Sequence, residues 1–238
     1  MFSINPSGVR VCQQLILSWC AGLLFSGVAF GQGLRISDAD VSLAVPIVGE
    51  DGSKQVSSRS EGNPCRGLKA RPLGELTSYK RTPDQIVLED AVYRESARYS
   101  IDPDLVFALI WQESGGRLGA VSPKNARGPM QLMSGTAARF GVRNPHDAKE
   151  AVRGGVAYLV WLLDRFKGNV SLALAGYNSG EASVEAYLEG KPIILRDGKV
   201  INRRGVQTAN GIPPYDETIN YVRRIAERYR ILRSCLYE

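Results

Sequence analysis

LVFALIWQESGG, residues 105–116, runs apolar without a break to Trp111, reaches a carboxylate at Glu113 and stops at Ser114-Gly115-Gly116. Asp102 and Pro103 stand just ahead of it, a residue that caps a helix N-terminus followed by one that fits the first helical position. The pattern predicts a buried helix from about Pro103 that ends within a residue or two of Glu113. The same start signal, Thr82-Pro83, opens a second segment in which Ile86, Val87, Ala91 and Ala97 suggest one apolar stripe. Downstream, GGVAYLVWLLDRF (154–166) is apolar almost all round, as in a helix at the centre of a bundle, and SLALAGYN (171–178) reads as another short buried helix. In the last segment Ile219, Val222, Ala226, Tyr229 and Leu232 recur at three- and four-residue spacing, with Arg223, Arg224, Glu227, Arg228 and Arg230 on other faces. The exception is PIILRDGKVIN (192–202), whose β-branched flanks about Asp197-Gly198 predict a hairpin with a two-residue turn. The expected fold class is therefore mainly α, one domain over 83–238 with a small β-hairpin insertion.

The chain has 238 residues, 30 Lys and Arg against 24 Asp and Glu, a net charge of +6, and one histidine. This is too mild and dispersed a charge for a dedicated nucleic-acid binder, though it suits an acidic polymer. With His146 alone, a multi-histidine zinc site is excluded, and four cysteines without a CxxC pair leave no cysteine metal cluster. No metal or cofactor is expected. The chemistry is expected to run on carboxylates.

The first charge is Arg10 and the next is Arg35; between them LILSWCAGLLFSGVAF (15–30) is followed by Gly31, Gln32 and Gly33. A positive start, an apolar core and small residues at its exit predict a signal peptide over 1–31 and a periplasmic mature chain. An uncleaved anchor is the alternative, and would be the chain's only membrane contact. Residues 49–64 contain one apolar side chain, Val56, so 32–82 reads as a flexible tail. Loss of the signal removes Cys12 and Cys20 and leaves Cys65 and Cys235. In an oxidising compartment these two are expected to pair, which would stabilise the fold by about 2–5 kcal/mol; two free thiols are the alternative.

Glu113 is the first candidate for chemistry. A carboxyl at a helix C-terminus faces the negative end of the macrodipole, and among apolar neighbours it is poorly solvated. Both effects favour the neutral acid that a proton donor needs near neutral pH. By position alone a solvated glutamate in a fraying last turn is the commoner reading, since helix-end carboxylates are mostly inert. The supporting residues have plain readings too: Met130 as core filler, Tyr177 as a packed ring, Ser122 as a turn cap before Pro123, and Glu217 as a glutamate favoured in a first helical turn. His146 reads as a loop residue capping the next helix, and the arginines of 223–233 as a solvated face.

Four strings occur in order: ALIWQESGG (108–116), ARGPMQLMSGTA (126–137), ALAGYNSG (173–180) and PPYDETINYVRRI (213–225). With them the sequence resembles the lysozyme-like catalytic domain of the soluble-type (SLT) lytic transglycosylases over about residues 84–233. That family's pattern is Glu-Ser at a helix end, Gly-Leu-Met-Gln-Leu-Met, Ala-Tyr-Asn and Glu-Thr-x-x-Tyr-Val. The resemblance implies that Glu113 is the catalytic acid, that Ser122 helps hold substrate beside it, and that Gln131 and Met133 line the sugar groove. It implies further that Tyr177 and Asn178 sit by the reacting sugar and that Glu217 and Tyr221 brace the cleft. Two positions depart from the pattern: Pro129 stands for leucine, stiffening φ and deleting an N–H, and Ser134 stands for proline.

The implied activity is non-hydrolytic cleavage of the MurNAc–GlcNAc β-1,4 bond of peptidoglycan, giving 1,6-anhydro-MurNAc ends. A hydrolytic muramidase and a non-catalytic peptidoglycan-binding assembly module are the alternatives. An exported enzyme with a short tail also resembles the specialised members that open the wall for secretion, conjugation or pilus machines. The tail and the hairpin would then be docking surfaces for such a machine.

Overall fold

The computed structural model describes residues 82–234. The expected signal segment, the tail up to residue 81, Cys65 and Cys235 lie outside the described residues.

Helix α1 (Pro83–Tyr99) begins with a reciprocal cap. The Thr82 hydroxyl accepts from the Gln85 N–H at 3.3 Å, and the Gln85 side-chain oxygen accepts from the Thr82 N–H at 2.9 Å. Helix α2 (Pro103–Ser114) is capped by Asp102, which accepts from the Asp104 N–H at 2.9 Å, and ends at Gly115 with φ +64. A short α3 (Ser134–Arg139), then α4 (Ala148–Arg165), α5 (Val170–Ser179), α6 (Glu181–Glu189) and α7 (Asp216–Ser234) complete the helical set. Between α6 and α7 lies one antiparallel pair, β1 (Ile193–Ile194) and β2 (Val200–Ile201), in register Ile193 to Ile201. The mainly α expectation holds.

Helix α5 is the pivot, in contact with α4, α6 and α7, while α1 lies on α4 and α2 lies along α7. Leu105 and Leu109 of α2, Leu159 and Leu162 of α4, Leu174 of α5 and Ile225 of α7 are almost wholly excluded from water. Cutting any of these leucines to alanine removes transfer energy and leaves a cavity, about 2–5 kcal/mol each. At the far end the Tyr229 hydroxyl of α7 donates to the Asp102 carboxylate at 2.8 Å, so the residue that starts α2 also ties it to α7.

Three local expectations change. In α1 the buried side chains are Leu88, Ala91, Val92, Glu95 and Ser96, whereas Ile86 and Val87 are exposed. The phase of the helix is set by its contact with α4 and Leu88 starts the buried stripe; Ile86 and Val87 fall on the other side. The hairpin loop has three residues, Arg196-Asp197-Gly198: Leu195 donates to the Lys199 carbonyl at 2.8 Å, and Gly198 takes φ +82. That is a type I turn closed by a left-handed glycine, not a two-residue turn. His146 does not cap α4; Asp147 does, accepting from the Glu150 N–H at 2.8 Å. The His146 ring instead bonds through Nδ1 to the Leu118 carbonyl at 2.9 Å, and because a carbonyl only accepts, Nδ1 carries the proton there.

The connection from α2 to α3 folds tightly on the body of the molecule. Arg127 forms single antiparallel bridges to Val121 and Leu132. Gly128 through Gln131 make a β-turn, with the Gln131 N–H donating to the Gly128 carbonyl at 3.2 Å. Pro129 therefore occupies the second turn position, where its fixed φ fits and its missing N–H is not needed. Met130, fully buried, rests on α4 at Gly155, where a Cβ would come within 2.3 Å of its sulfur. Met130 is core, as its plain reading expects.

Candidate active site

Glu113 lies in the last turn of α2, with its carboxyl turned toward α7. The Tyr221 hydroxyl donates to Glu113 Oε1. Burial drives the Glu113 carboxyl from 4.5 up to about 7, and the Tyr221 hydrogen bond, which favours the carboxylate, offsets part of that rise. The Tyr221 phenol is itself pushed well above its usual value, first by burial and then by the Glu113 charge, so it stays a neutral donor. Tyr177 is raised in the same way, with Glu113 again among the causes. A half-protonated carboxyl near pH 7, held by a neutral phenol, can give a proton and take one back.

The raised value has a consequence for stability. Between pH 4.5 and 7 the folded protein holds a proton on Glu113 that the unfolded chain releases, so stability falls as pH rises through that window. Above pH 7 the carboxylate weakens the fold by about 3 kcal/mol. Glu113→Gln should thus melt at a higher temperature than wild type at pH 8 and at nearly the same temperature at pH 4. Identical pH dependence of the two melting curves would show an ordinary, solvated carboxyl.

A cleft of about 320 Å³ opens at this point, lined by Gln112 and Glu113 of α2, Asn178 of α5, and Glu217, Asn220, Tyr221 and Arg224 of α7. Glu217, Asn220, Tyr221 and Arg224 are spaced i, i+3, i+4 and i+7, which sets all four on one face of α7. Asn178 accepts from the Thr218 hydroxyl at 2.8 Å, fixing its amide and joining α5 to the start of α7. Glu217 is exposed and takes both its oxygens to Lys124 Nζ, at 3.3 and 3.1 Å. The bridge joins the loop after α2 to the first turn of α7.

The other four expected residues do not line this cleft. The Ser122 hydroxyl accepts from the Ala126 N–H at 3.0 Å, closing its own loop. Gln131 has φ +47, and its side-chain nitrogen donates to the carbonyls of Gly128 (2.8 Å) and Ala120 (3.2 Å). Met133 is 47% exposed at the start of α3. Tyr177 donates to the Met130 carbonyl at 3.0 Å, and its ring lies 5.0 Å from that of Tyr158. Tyr158 in turn lies nearly parallel to Trp161, over whose ring the Arg139 guanidinium sits at 4.0 Å.

Ser114, Gln112, Asn220 and Arg224 carry more of the site than their sequence context suggests. The buried Ser114 hydroxyl donates to the Pro129 carbonyl at 2.8 Å and accepts from the Gly116 N–H at 3.1 Å. It locks the end of α2 to the turn that carries Gln131. Glu-Ser at a helix end was the signal for Ser114. For Arg224 the signal was its seven-residue spacing from Glu217, hidden among five arginines read as a solvated face.

Residues 90–192 match the model of the Transglycosylase SLT domain. A transglycosylase of Enterobacteria phage PRD1 is 42% identical over 85 residues, which are 36% of this chain and 32% of the phage protein. The membrane-bound lytic murein transglycosylase F 1 of Alkalilimnicola ehrlichii is 32% identical over 160 residues, 59% of this chain and 32% of that protein. The chain thus spans about a third of the length of these relatives. Among solved structures, the complex of the 70-kDa soluble lytic transglycosylase with bulgecin A aligns with a TM-score of 0.50 at 22% identity, over 65% of this chain and 25% of that one. That likeness concerns the fold alone.

Proposed function

We propose that this chain is a peptidoglycan lytic transglycosylase with Glu113 as its single acid and base. The observation that carries the reading is the one raised carboxyl at a cleft wall, bonded by a neutral tyrosine. Hydrolytic glycosidases commonly employ two carboxylates that flank the bond. Here the second carboxylate of the cleft, Glu217, is exposed and ion-paired to Lys124. The names of the relatives and the domain family supply the substrate class.

In this mechanism Glu113 protonates the oxygen that links MurNAc to GlcNAc, and the bond to muramic C1 breaks. The N-acetyl group of the same sugar shields the positive charge at C1. Glu113, now a carboxylate, takes the proton from the muramic C6 hydroxyl as that oxygen bonds to C1. The products are a GlcNAc end and a 1,6-anhydro-MurNAc end, with no water consumed. Holding the C6 hydroxyl against C1 makes the attack intramolecular, a positioning advantage that reaches about 7–11 kcal/mol in well-oriented systems. Asn178, Tyr177 and exposed Met133 would meet the sugars, while Ser122 and Gln131 would keep the neighbouring loop in shape. No metal or cofactor takes part.

The place of action would be the cell envelope, reached by export through residues 1–31, with the mature chain in the periplasm and Cys65 bridged to Cys235. The tail and the β1–β2 hairpin would engage a secretion, conjugation or pilus machine. Mass spectrometry of muropeptides released from isolated sacculi tests the reaction type. Anhydro ends support it; reducing ends indicate a muramidase, and no release indicates a binding module. Tyr221→Phe sharpens the assignment. Removing a donor that favours the carboxylate should raise the Glu113 value further, so the fall of kcat/KM above pH 7 should move to higher pH. An unmoved alkaline limb would mean that another group titrates there.

A further inference from the structure

The cleft has two chemically different ends. One is Glu113 with Tyr221; the other is a wall of donors, Gln112, Asn220 and Arg224. Asn220 accepts from Arg223 at 2.5 Å through its amide oxygen, which leaves its N–H groups to face a ligand. Among the cleft residues and their partners, Lys124 is committed to Glu217. Arg224 is exposed and has no hydrogen-bond or ion-pair partner among the described residues. Glu113 is largely neutral below pH 7, so the charge of Arg224 is the one left uncompensated in the cleft.

We propose that Arg224 anchors a carboxylate carried on the lactyl arm of the muramic acid, one helical turn along α7 from the residue that holds the catalytic acid. The inference rests on the peptidoglycan reading and adds a subsite to it. A guanidinium offers a planar fork of N–H donors that matches a carboxylate with two parallel bonds, and flanking amides extend that fork. The three residues from Tyr221 to Arg224 rise about 4.5 Å along the helix, roughly the breadth of one sugar ring. A muramic acid with its C1 at Glu113 therefore brings the substituent of the same ring to Arg224. The carboxylate has two sources: the lactyl group itself on strands stripped of peptide, or the stem peptide on intact strands.

The test uses the full chain with Glu113→Gln, which binds without turnover, and compares it with Glu113→Gln/Arg224→Gln by calorimetry. Three probes are titrated: amidase-stripped glycan strands, peptide-bearing strands, and uncharged chito-oligosaccharide. Arg230→Gln, which removes an exposed charge outside the cleft, is the matched control. The expected result is a loss of affinity of about tenfold for carboxylate-bearing strands, relieved by salt, with no comparable loss for the chito-oligosaccharide or in the control. Loss on stripped strands identifies the lactyl carboxylate, and loss on peptide-bearing strands identifies the stem peptide. Equal affinities with and without Arg224, or an equal loss for the uncharged probe, overturn the proposal. If wild type releases anhydro ends while the Arg224 comparison is flat, this subsite alone is wrong. If wild type releases none, the parent reading fails with it.

Discussion

Replacing Glu113 with glutamine should slow peptidoglycan cleavage by about 10²–10⁴-fold, the range that a positioned proton donor contributes. The amide keeps the size of the side chain and can still accept from Tyr221, so the cleft keeps its shape while the transferable proton is gone. In the proposed mechanism the same group serves as acid in the first step and base in the second, so both halves should be lost together. The residual rate comes from binding and orientation alone. The measurement is muropeptide release from sacculi by equal amounts of both proteins, with matched circular dichroism spectra to show intact folds. The stability comparison predicted above makes the pair diagnostic, since the variant should be slower and, at pH 8, harder to melt. A group kept protonated for chemistry weakens the fold wherever it ionises.

Gly128→Ala should be the most damaging small change in the structure. Gly128 has φ +77, a region that side chains with a Cβ occupy at a penalty of about 1–2 kcal/mol. The added Cβ would lie 1.6 Å from the Pro145 carbonyl oxygen and 2.7 Å from its carbon. Those are backbone atoms, so no rotamer relieves the contact and one of the two loops must move. Overpacking of this kind adds about 1–3 kcal/mol. The total, about 2–5 kcal/mol, corresponds to a fall in melting temperature of roughly 10 °C for a domain of this size. Function should fall too. Gly128 donates to the Ala120 carbonyl at 2.9 Å and its own carbonyl accepts from the Gln131 side chain at 2.8 Å, so the shift passes to the loops beside Glu113. Thermal melts and sacculus lysis check both effects; a melting temperature within a degree or two of wild type would show that the loops yield freely.

What could be read in the amino-acid order was the part governed by near neighbours. Thr82-Pro83 and Asp102-Pro103 start helices because a cap and a fixed φ act within one turn. Glu113 was legible from the abrupt end of an apolar helix, and with the four ordered strings its neighbours on α5 and α7 were legible too. The phase of α1 was not, because Ile86 and Val87 are more apolar than Ser96, yet Ser96 is buried and they face water. Nor was the division of labour in the loop after α2: Ser122, Gln131 and Ser114 all bond to backbone groups, a choice made only once the loop has folded. Arg224 escaped for a related reason. Its helix carries arginines on several faces, and only the approach of α2 makes one of those faces a cleft.

The most direct test of a lone acid acting without water is cleavage in water enriched in heavy oxygen. Wild-type protein and purified sacculi would be incubated in it and the new muramic ends weighed by mass spectrometry. Closure by the C6 hydroxyl predicts anhydro ends carrying no solvent oxygen, and no new ends with Glu113→Gln. One solvent oxygen at each new muramic end would contradict it and make the protein a hydrolase.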